Sequence, residues 1–236
     1  MNNYYSQCQQ DQFLNEVVFG NRRKGFFIDI GAHDGKTLSN SLFFEESRGW
    51  DGICIEPNPN VFTRLNAFHK SRNLNVCVGD SDQVVKFTQI EGYAEMLSGI
   101  TASYDPDHSA RIEREVASKG GRKTEIDIQM LRLNSIPEIQ NQHIDFMSID
   151  TEGSEFRILS SINLKDLDLE AIVIENNNGD RKIADWLSNF GFVRFFKLAH
   201  DDVYVSSRYL TLGMQFRLKL WEAKSLLRHL RDRLRR

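Results

Sequence analysis

Acidic side chains recur where short apolar runs break off, and their spacing outlines a pocket for a nucleoside. The first such point is Asp29-Ile30-Gly31-Ala32-His33-Asp34-Gly35, directly after Phe26-Phe27-Ile28. Gly31 permits close backbone approach and dihedrals that other residues avoid, and Gly35 lets a helix pack tightly. The second is Glu56, 21 residues past Gly35 and followed by Pro57. A carboxylate at such a strand end accepts hydrogen bonds from both hydroxyls of an adenosine ribose. The third is Asp80, which falls where the adenine edge would lie. The G-x-G-x-x-G pattern of dinucleotide sites is missing, because position 33 is His and no third glycine follows. Nothing therefore cradles a pyrophosphate, and a nicotinamide oxidoreductase is the weakest reading. S-adenosylmethionine is the expected cofactor, since its sulfonium and ammonium groups suit an acidic pocket. Its candidate ligands are Asp29, Gly31, Ala32, His33, Gly35, Glu56, Pro57, Asp80 and Asp150.

Methyl transfer is an in-line displacement at a carbon that the sulfonium already activates. The protein must align the acceptor, which supplies on the order of 7–11 kcal/mol. It can also take up the hydroxyl proton, worth roughly 10²–10⁴ in rate. Asp150-Thr151-Glu152-Gly153-Ser154-Glu155 is the densest set of groups for this work. Asp150 ends an apolar run and points into the shared cleft, either as base or as organiser of the acceptor hydroxyl. Glu152 is a second catalytic candidate, equally explained as loop structure. Glu155 falls in a first helical turn, where an acid favours the helix N-terminus. His108 is the third catalytic candidate, with Tyr104 and Arg111 beside it as acceptor contacts, whereas His33 and His200 are as readily structural. Asp150 with Glu175-Asn176 forms an all-oxygen set that suits Mg²⁺, although paired strand-end acids are common without an ion. Such an ion would lower the pKa of the acceptor hydroxyl.

The elements that must position these residues alternate along the chain. Apolar runs at residues 26–30, 52–56, 74–78, 144–149 and 170–174 predict buried parallel strands. Helices are expected over 36–48, 61–69 (capped by Asn60), 154–161 and 181–189. Residues 84–90 read as an antiparallel addition, 124–133 alternates again, and 192–197 with 202–206 makes a closing pair of strands. The polar segment 92–122, with a helix at 107–119, reads as an insertion forming a lid over the site. The fold class is α/β, a doubly wound and mostly parallel sheet in one domain over residues 1–206. In such sheets ligands bind beyond the carboxyl ends of the strands.

Three blocks carry a family resemblance: residues 27–35 with Ser39-Asn40, residues 49–58, and Ile144-Asp145-Phe146-Met147-Ser148-Ile149-Asp150-Thr151-Glu152-Gly153-Ser154-Glu155. Together they resemble the FkbM-type methyltransferases, and the opening residues 5–13 are similar to one branch of that family. The resemblance covers roughly residues 5–206, with the insertion matching loosely. It implies a class I, Rossmann-like, S-adenosylmethionine-dependent methyltransferase. It also implies methyl transfer to oxygen, often on sugar hydroxyls of glycans, glycolipids or natural products. A small non-sugar metabolite as acceptor, or a module that binds a nucleoside without catalysis, are the alternatives.

The 236 residues are 40% hydrophobic and 27% charged, with sixteen phenylalanines, which excludes a disordered or collagen-like chain. Three cysteines without metal-ligand spacing read as reduced core residues. No apolar stretch is long enough to span a membrane and the opening residues are polar, so a cytoplasmic location is expected. The net charge of −3 hides two regions: residues 217–236 carry +6 and the remainder −9. An acidic body argues against a nucleic-acid partner. The basic end, residues 207–236, reads as an amphipathic helix with Phe216, Leu220, Ala223, Leu227, Leu230 and Leu234 as its apolar stripe. It is expected to pack on its own domain, to self-associate, or to lie on an anionic inner membrane surface.

Overall fold

The protein was analysed as a computed structural model that describes residues 3–104, 106–151, 153–177 and 179–234, with side chains through 227. Eleven strands occur among these residues: β1 Phe26–Ile30, β2 Asp51–Ile55, β3 Arg72–Leu74, β4 Cys77–Val78, β5 Gln83–Glu91, β6 Gly99–Ile100, β7 Arg122–Leu131, β8 His143–Ile149, β9 Asp168–Glu175, β10 Phe192–Leu198 and β11 Asp201–Ser206. Seven of them build one sheet in the order β10-β11-β9-β8-β1-β2-β3. Strands β3, β2, β1, β8 and β9 run parallel, and β11 is antiparallel to both β9 and β10. The central strands are apolar on consecutive positions because both sheet faces are covered. Ile28, Ile30, Met147, Ile149, Ile172 and Ile174 enter one core. Phe27, Phe146, Ala171 and Val173 enter the other, with Phe44 and Trp50.

Four short-range expectations need correction. The run 74–78 is two strands: Asn75 donates its side-chain amide to the carbonyls of Glu56 and Pro57 at 2.8 and 2.9 Å. The chain turns there, and β4 joins β7 in a second sheet ordered β4-β7-β5-β6. Residues 84–90 therefore extend this second sheet rather than the first. No helix starts at Lys36, because Asp34 Oδ1 accepts from the N–H groups of Lys36 and Thr37 and holds them in a loop. The helical turn starts later, with Ser39 Oγ accepting from Leu42 N at 3.1 Å, and ends in a π-turn at Phe44–Arg48. Helix α2, Pro59–Phe68, is capped by Asn58, whose side chain accepts from Asn60 N, and not by Asn60 itself.

The remaining helices sit where their apolar spacing places them: α3 Pro106–Lys119, α4 Glu155–Ser161, α5 Arg181–Ser188 and α6 Leu212–Leu234. Helix α1, Gln10–Phe13, continues as a π-turn over Leu14–Val18. Its last carbonyls, at Val17 and Val18, accept from the Arg217 guanidinium of α6 at 2.8 and 2.9 Å. Such carbonyls have no partner inside their own helix. Met214 and Trp221 of α6 are buried in the same core, with Trp221 edge-on to Phe13. The expected stripe of Phe216, Leu220 and Leu227 is exposed instead. The side chains of Leu230 and Leu234 lie outside the described residues. No described helix is long and apolar enough to cross a membrane.

At the amino-terminal edge of the sheet, Arg22 lies between the buried carboxylates of Asp145 and Glu170, bonding Glu170 at 2.9 Å. Burial pushes the Glu170 carboxyl above its ordinary value. Removing one partner of a fully buried pair costs about 3–5 kcal/mol. Arg22 is 38% exposed, so water screens part of its charge. Arg22→Met is therefore expected to cost about 2–3 kcal/mol at pH 8. The stranded Glu170 takes up a proton as pH falls, so the loss shrinks at pH 5. Urea unfolding at both pH values checks this, and a loss no larger at pH 8 than at pH 5 contradicts it.

A candidate cofactor and acceptor cleft

The parallel strands end together along one sheet edge, and a cleft of about 1210 Å³, counting its open mouth, lies beyond β1, β2, β8 and β9. Gly31, at φ +86°, lines it where β1 ends. The N–H groups of Gly31 and Ala32 both donate to Ile55 O, at 2.9 and 3.1 Å. A Cβ on Gly31 would fall 1.7 Å from the Asp150 carbonyl, so the ends of β1 and β8 touch there. Gly35, at φ +75°, leaves no room for a Cβ either, but its neighbours are Leu65 and His69 at 2.7 Å. It packs against α2 and its end, outside the cleft lining.

Glu56 is buried where β2 ends, and main-chain groups hold its carboxylate. Asn58 N donates to Oε1 at 2.7 Å and His33 N to Oε2 at 3.1 Å. His33 presents that N–H from a left-handed conformation, φ 49°. Burial raises the Glu56 pKa to about 7, against these two hydrogen bonds, which lower it. Asp29 is also buried, which raises its pKa, and it accepts a 2.6 Å hydrogen bond from Ser41 Oγ. Behind the loop, His69 Nε2 meets Gly35 O at 2.9 Å, and its Nδ1 lies 3.3 Å from Glu45. Burial opposes ionisation of Glu45, yet hydrogen bonds from His69, Lys70 N and Ser71 bring its pKa down to about 2.

Of the residues expected from sequence to bind the cofactor, Asp29, Gly31, Ala32, His33, Glu56, Pro57 and Asp150 line this cleft. Asp80 does not. The chain leaves the main sheet after β3, so Asp80 sits exposed in a turn, accepting from Ser81 Oγ. Val76, Cys77 and Val78, faced by Phe87 and Ile100, form an apolar wall in its place. His108 is also outside the lining, its ring tilted against Tyr104 at 4.5 Å, with Nε2 3.4 Å from Leu97 O. Tyr104 donates to the same carbonyl at 2.8 Å, and Arg111 is exposed on α3. Glu152 lies outside the described residues.

The expected magnesium set does not assemble. Glu175 lines the cleft, but the Asn176 amide donates to Asp180 O and Asp202, and its oxygen accepts from Asp180 N. Asp150, Glu175 and Glu155 do approach within 4.8 Å. The Glu155 carboxylate, however, accepts from Thr151 N and Gly153 N, so it serves the loop that opens α4. Of the expected set, only Asp150 and Glu175 lie together, and Asn176 is taken up by Asp180 and Asp202.

Sequence reasoning missed Gln7, Gln10, Asn40, Glu95 and Ser98, all in the lining. Ser6 bridges Leu38 in parallel, which lays the opening segment across the cleft. Glu95, from the insertion, lies 3.2 Å from His33 Nε2 and pairs with Arg64. Five acids (Asp29, Glu56, Glu95, Asp150 and Glu175) face the cleft, and no Lys or Arg does among the described residues.

This sheet order, with its antiparallel β11 and its cleft beyond the carboxyl edge, defines a class I, Rossmann-like methyltransferase fold. Residues 29–194 match the model of the methyltransferase FkbM domain. The chain belongs to that family of S-adenosylmethionine-dependent methyltransferases. Among solved structures, it is similar to the methyltransferase FkbM from Methylobacillus flagellatus KT, at 13% identity and TM-score 0.47, covering 85% of this chain and 48% of that one. The METTL16 MTase domain is similar at 12% identity and TM-score 0.45, covering 83% and 65%. M. capricolum TrmK, in complex with S-adenosyl-homocysteine, is similar at 10% identity and TM-score 0.41, covering 86% and 68%. The chain thus spans about half to two thirds of the length of these structures. No curated protein matches it.

The Gly31 contact gives a direct prediction. Gly31→Ala forces a methyl group into a main-chain oxygen and is expected to cost about 3 kcal/mol or more. Gly49→Ala, also at positive φ but with open space around it, is expected to cost only about 1 kcal/mol. Thermal unfolding of the two variants measures the difference; equal melting temperatures would contradict the contact.

Proposed function

We propose that the protein is an S-adenosylmethionine-dependent O-methyltransferase whose acceptor is a sugar hydroxyl of a glycan, glycolipid or glycosylated natural product. The observation that carries this reading is the fixed, buried Glu56 carboxylate between the Gly31 turn and the apolar wall of Val76, Cys77 and Val78. The residues fit the cofactor. Glu56 suits two vicinal hydroxyls, the wall suits a flat base, and Asp29 with the open backbone at Gly31 suits a cationic amino-acid end. When bound, S-adenosylmethionine supplies a methyl carbon activated by its sulfonium.

The other side of the cleft carries Gln7, Gln10, Thr37, Asn40, Asp150 and Glu175. Carboxamides, a hydroxyl and carboxylates without a cation match a hydroxyl-rich acceptor and disfavour phosphate. Asp150 follows the β8 end that touches Gly31, so its carboxylate is positioned to orient an acceptor hydroxyl and accept its proton.

Two measurements test the reading. Ionised Glu56 accepts both ribose hydrogen bonds, so affinity for S-adenosylhomocysteine is expected to rise up to about tenfold between pH 6 and 8. Glu56→Gln is expected to bind about 10- to 100-fold more weakly, with a flatter pH dependence. Calorimetry checks both. A wild-type affinity independent of pH, or binding of NAD in place of the adenosyl ligand, overturns the assignment.

With a labelled methyl donor and a panel of neutral saccharides, Asp150→Asn is expected to lower turnover by about 10²–10⁴. Its affinity for S-adenosylhomocysteine should stay within a few-fold of wild type. Unchanged turnover would remove Asp150 from the chemistry. Labelling of non-sugar alcohols alone would replace the acceptor class.

A further inference from the structure

Helix α6 has two apolar faces, and the domain uses one of them. Met214, Leu218 and Trp221 turn inward, and Arg217 ties the same face to the carbonyls of Val17 and Val18. On the opposite face, Leu212 is 83% exposed, Phe216 63%, Leu220 45% and Leu227 66%. With Ala223 these residues recur at spacings of four and three, which confines them to roughly a quarter of the helix circumference. The sequence continues the spacing with Leu230 and Leu234. Exposed Lys219 and Lys224 border the stripe on its two sides.

We infer that this outward face of α6 docks on an anionic phospholipid bilayer, with the stripe in the interface and the flanking cations against lipid headgroups. Charge selects this occupant. Residues 217–236 hold eight Lys and Arg against two acids, whereas the rest of the chain carries −9. A second copy of the helix would bring two strongly positive segments together. A nucleic acid would meet the cations but would leave the leucines and Phe216 in water. An anionic bilayer satisfies both the charge and the apolar stripe.

Flotation of the full chain with vesicles tests the inference. Recovery with phosphatidylcholine vesicles containing phosphatidylglycerol is expected to exceed that with phosphatidylcholine alone by about tenfold, and high salt should reduce it. The triple variant Phe216→Glu, Leu220→Glu, Leu227→Glu should abolish recovery while the domain stays folded with a melting temperature within a few degrees of wild type, since Phe216 and Leu227 are mostly exposed and Leu220 only rims a surface pocket beside Glu16, Val17 and Asn21. Lys219→Glu with Lys224→Glu should erase the preference for anionic lipid. Equal recovery with both vesicles, or none with either, overturns the inference. So does a dimer in light scattering that the triple variant dissociates. Duplex DNA binding that survives the triple variant while vesicle recovery is absent overturns it as well.

Discussion

A carboxylate held out of water by its own chain is the constraint around which the site is built. Glu56 sits 8% exposed at the end of β2, and the N–H groups of His33 and Asn58 satisfy part of its hydrogen-bonding capacity. Each neighbour has a conformation that serves this arrangement. His33 adopts a left-handed dihedral that offers its N–H, and Asn58 caps α2 while donating backward. Asn75 takes the carbonyls of Glu56 and Pro57, which turns the chain out of the main sheet and lets Cys77 and Val78 close the cleft. Without the Glu56 carboxylate, the His33 loop and the start of α2 would lose a common partner.

Much of this was legible in the sequence because it rests on short apolar runs and the residues that stop them. Asp29, Gly31, Glu56 and Asp150 each follow or end a buried strand, and a parallel sheet brings such ends to one edge. The misplaced residues depend on contacts that composition and spacing do not carry. Placing Asp80 at the adenine edge requires 74–78 to be one strand, and the long-range amide bonds of Asn75 break that premise. His108 belongs to the insertion, but α3 turns it toward Tyr104 and the Leu97 carbonyl. The loop before Leu42 is different: Ser39 ahead of an apolar run is a capping signal that the helical spacing outweighed.

Helix α6 illustrates the same boundary from the other side. Its sequence holds two apolar stripes, and the longer one looks like the packing face. The shorter one docks, because Trp221 finds Phe13 edge-on and Arg217 finds the open carbonyls at Val17 and Val18. Those partners come from 200 residues away in the chain, where periodicity gives no information. The acceptor side of the cleft behaves likewise. Gln7 and Gln10 reach it only because the Ser6–Leu38 bridge lays the opening segment across the sheet edge.

The central claim is that one cleft holds the nucleoside by Glu56 and presents the acceptor beside Asp150. A crystal structure of the full chain with S-adenosylhomocysteine tests it most directly. The account predicts ribose hydroxyls on the Glu56 carboxylate, the base against Val76, Cys77 and Val78, and the sulfur facing Asp150. A nucleoside bound elsewhere, or a ribose whose hydroxyls bypass Glu56, would contradict it.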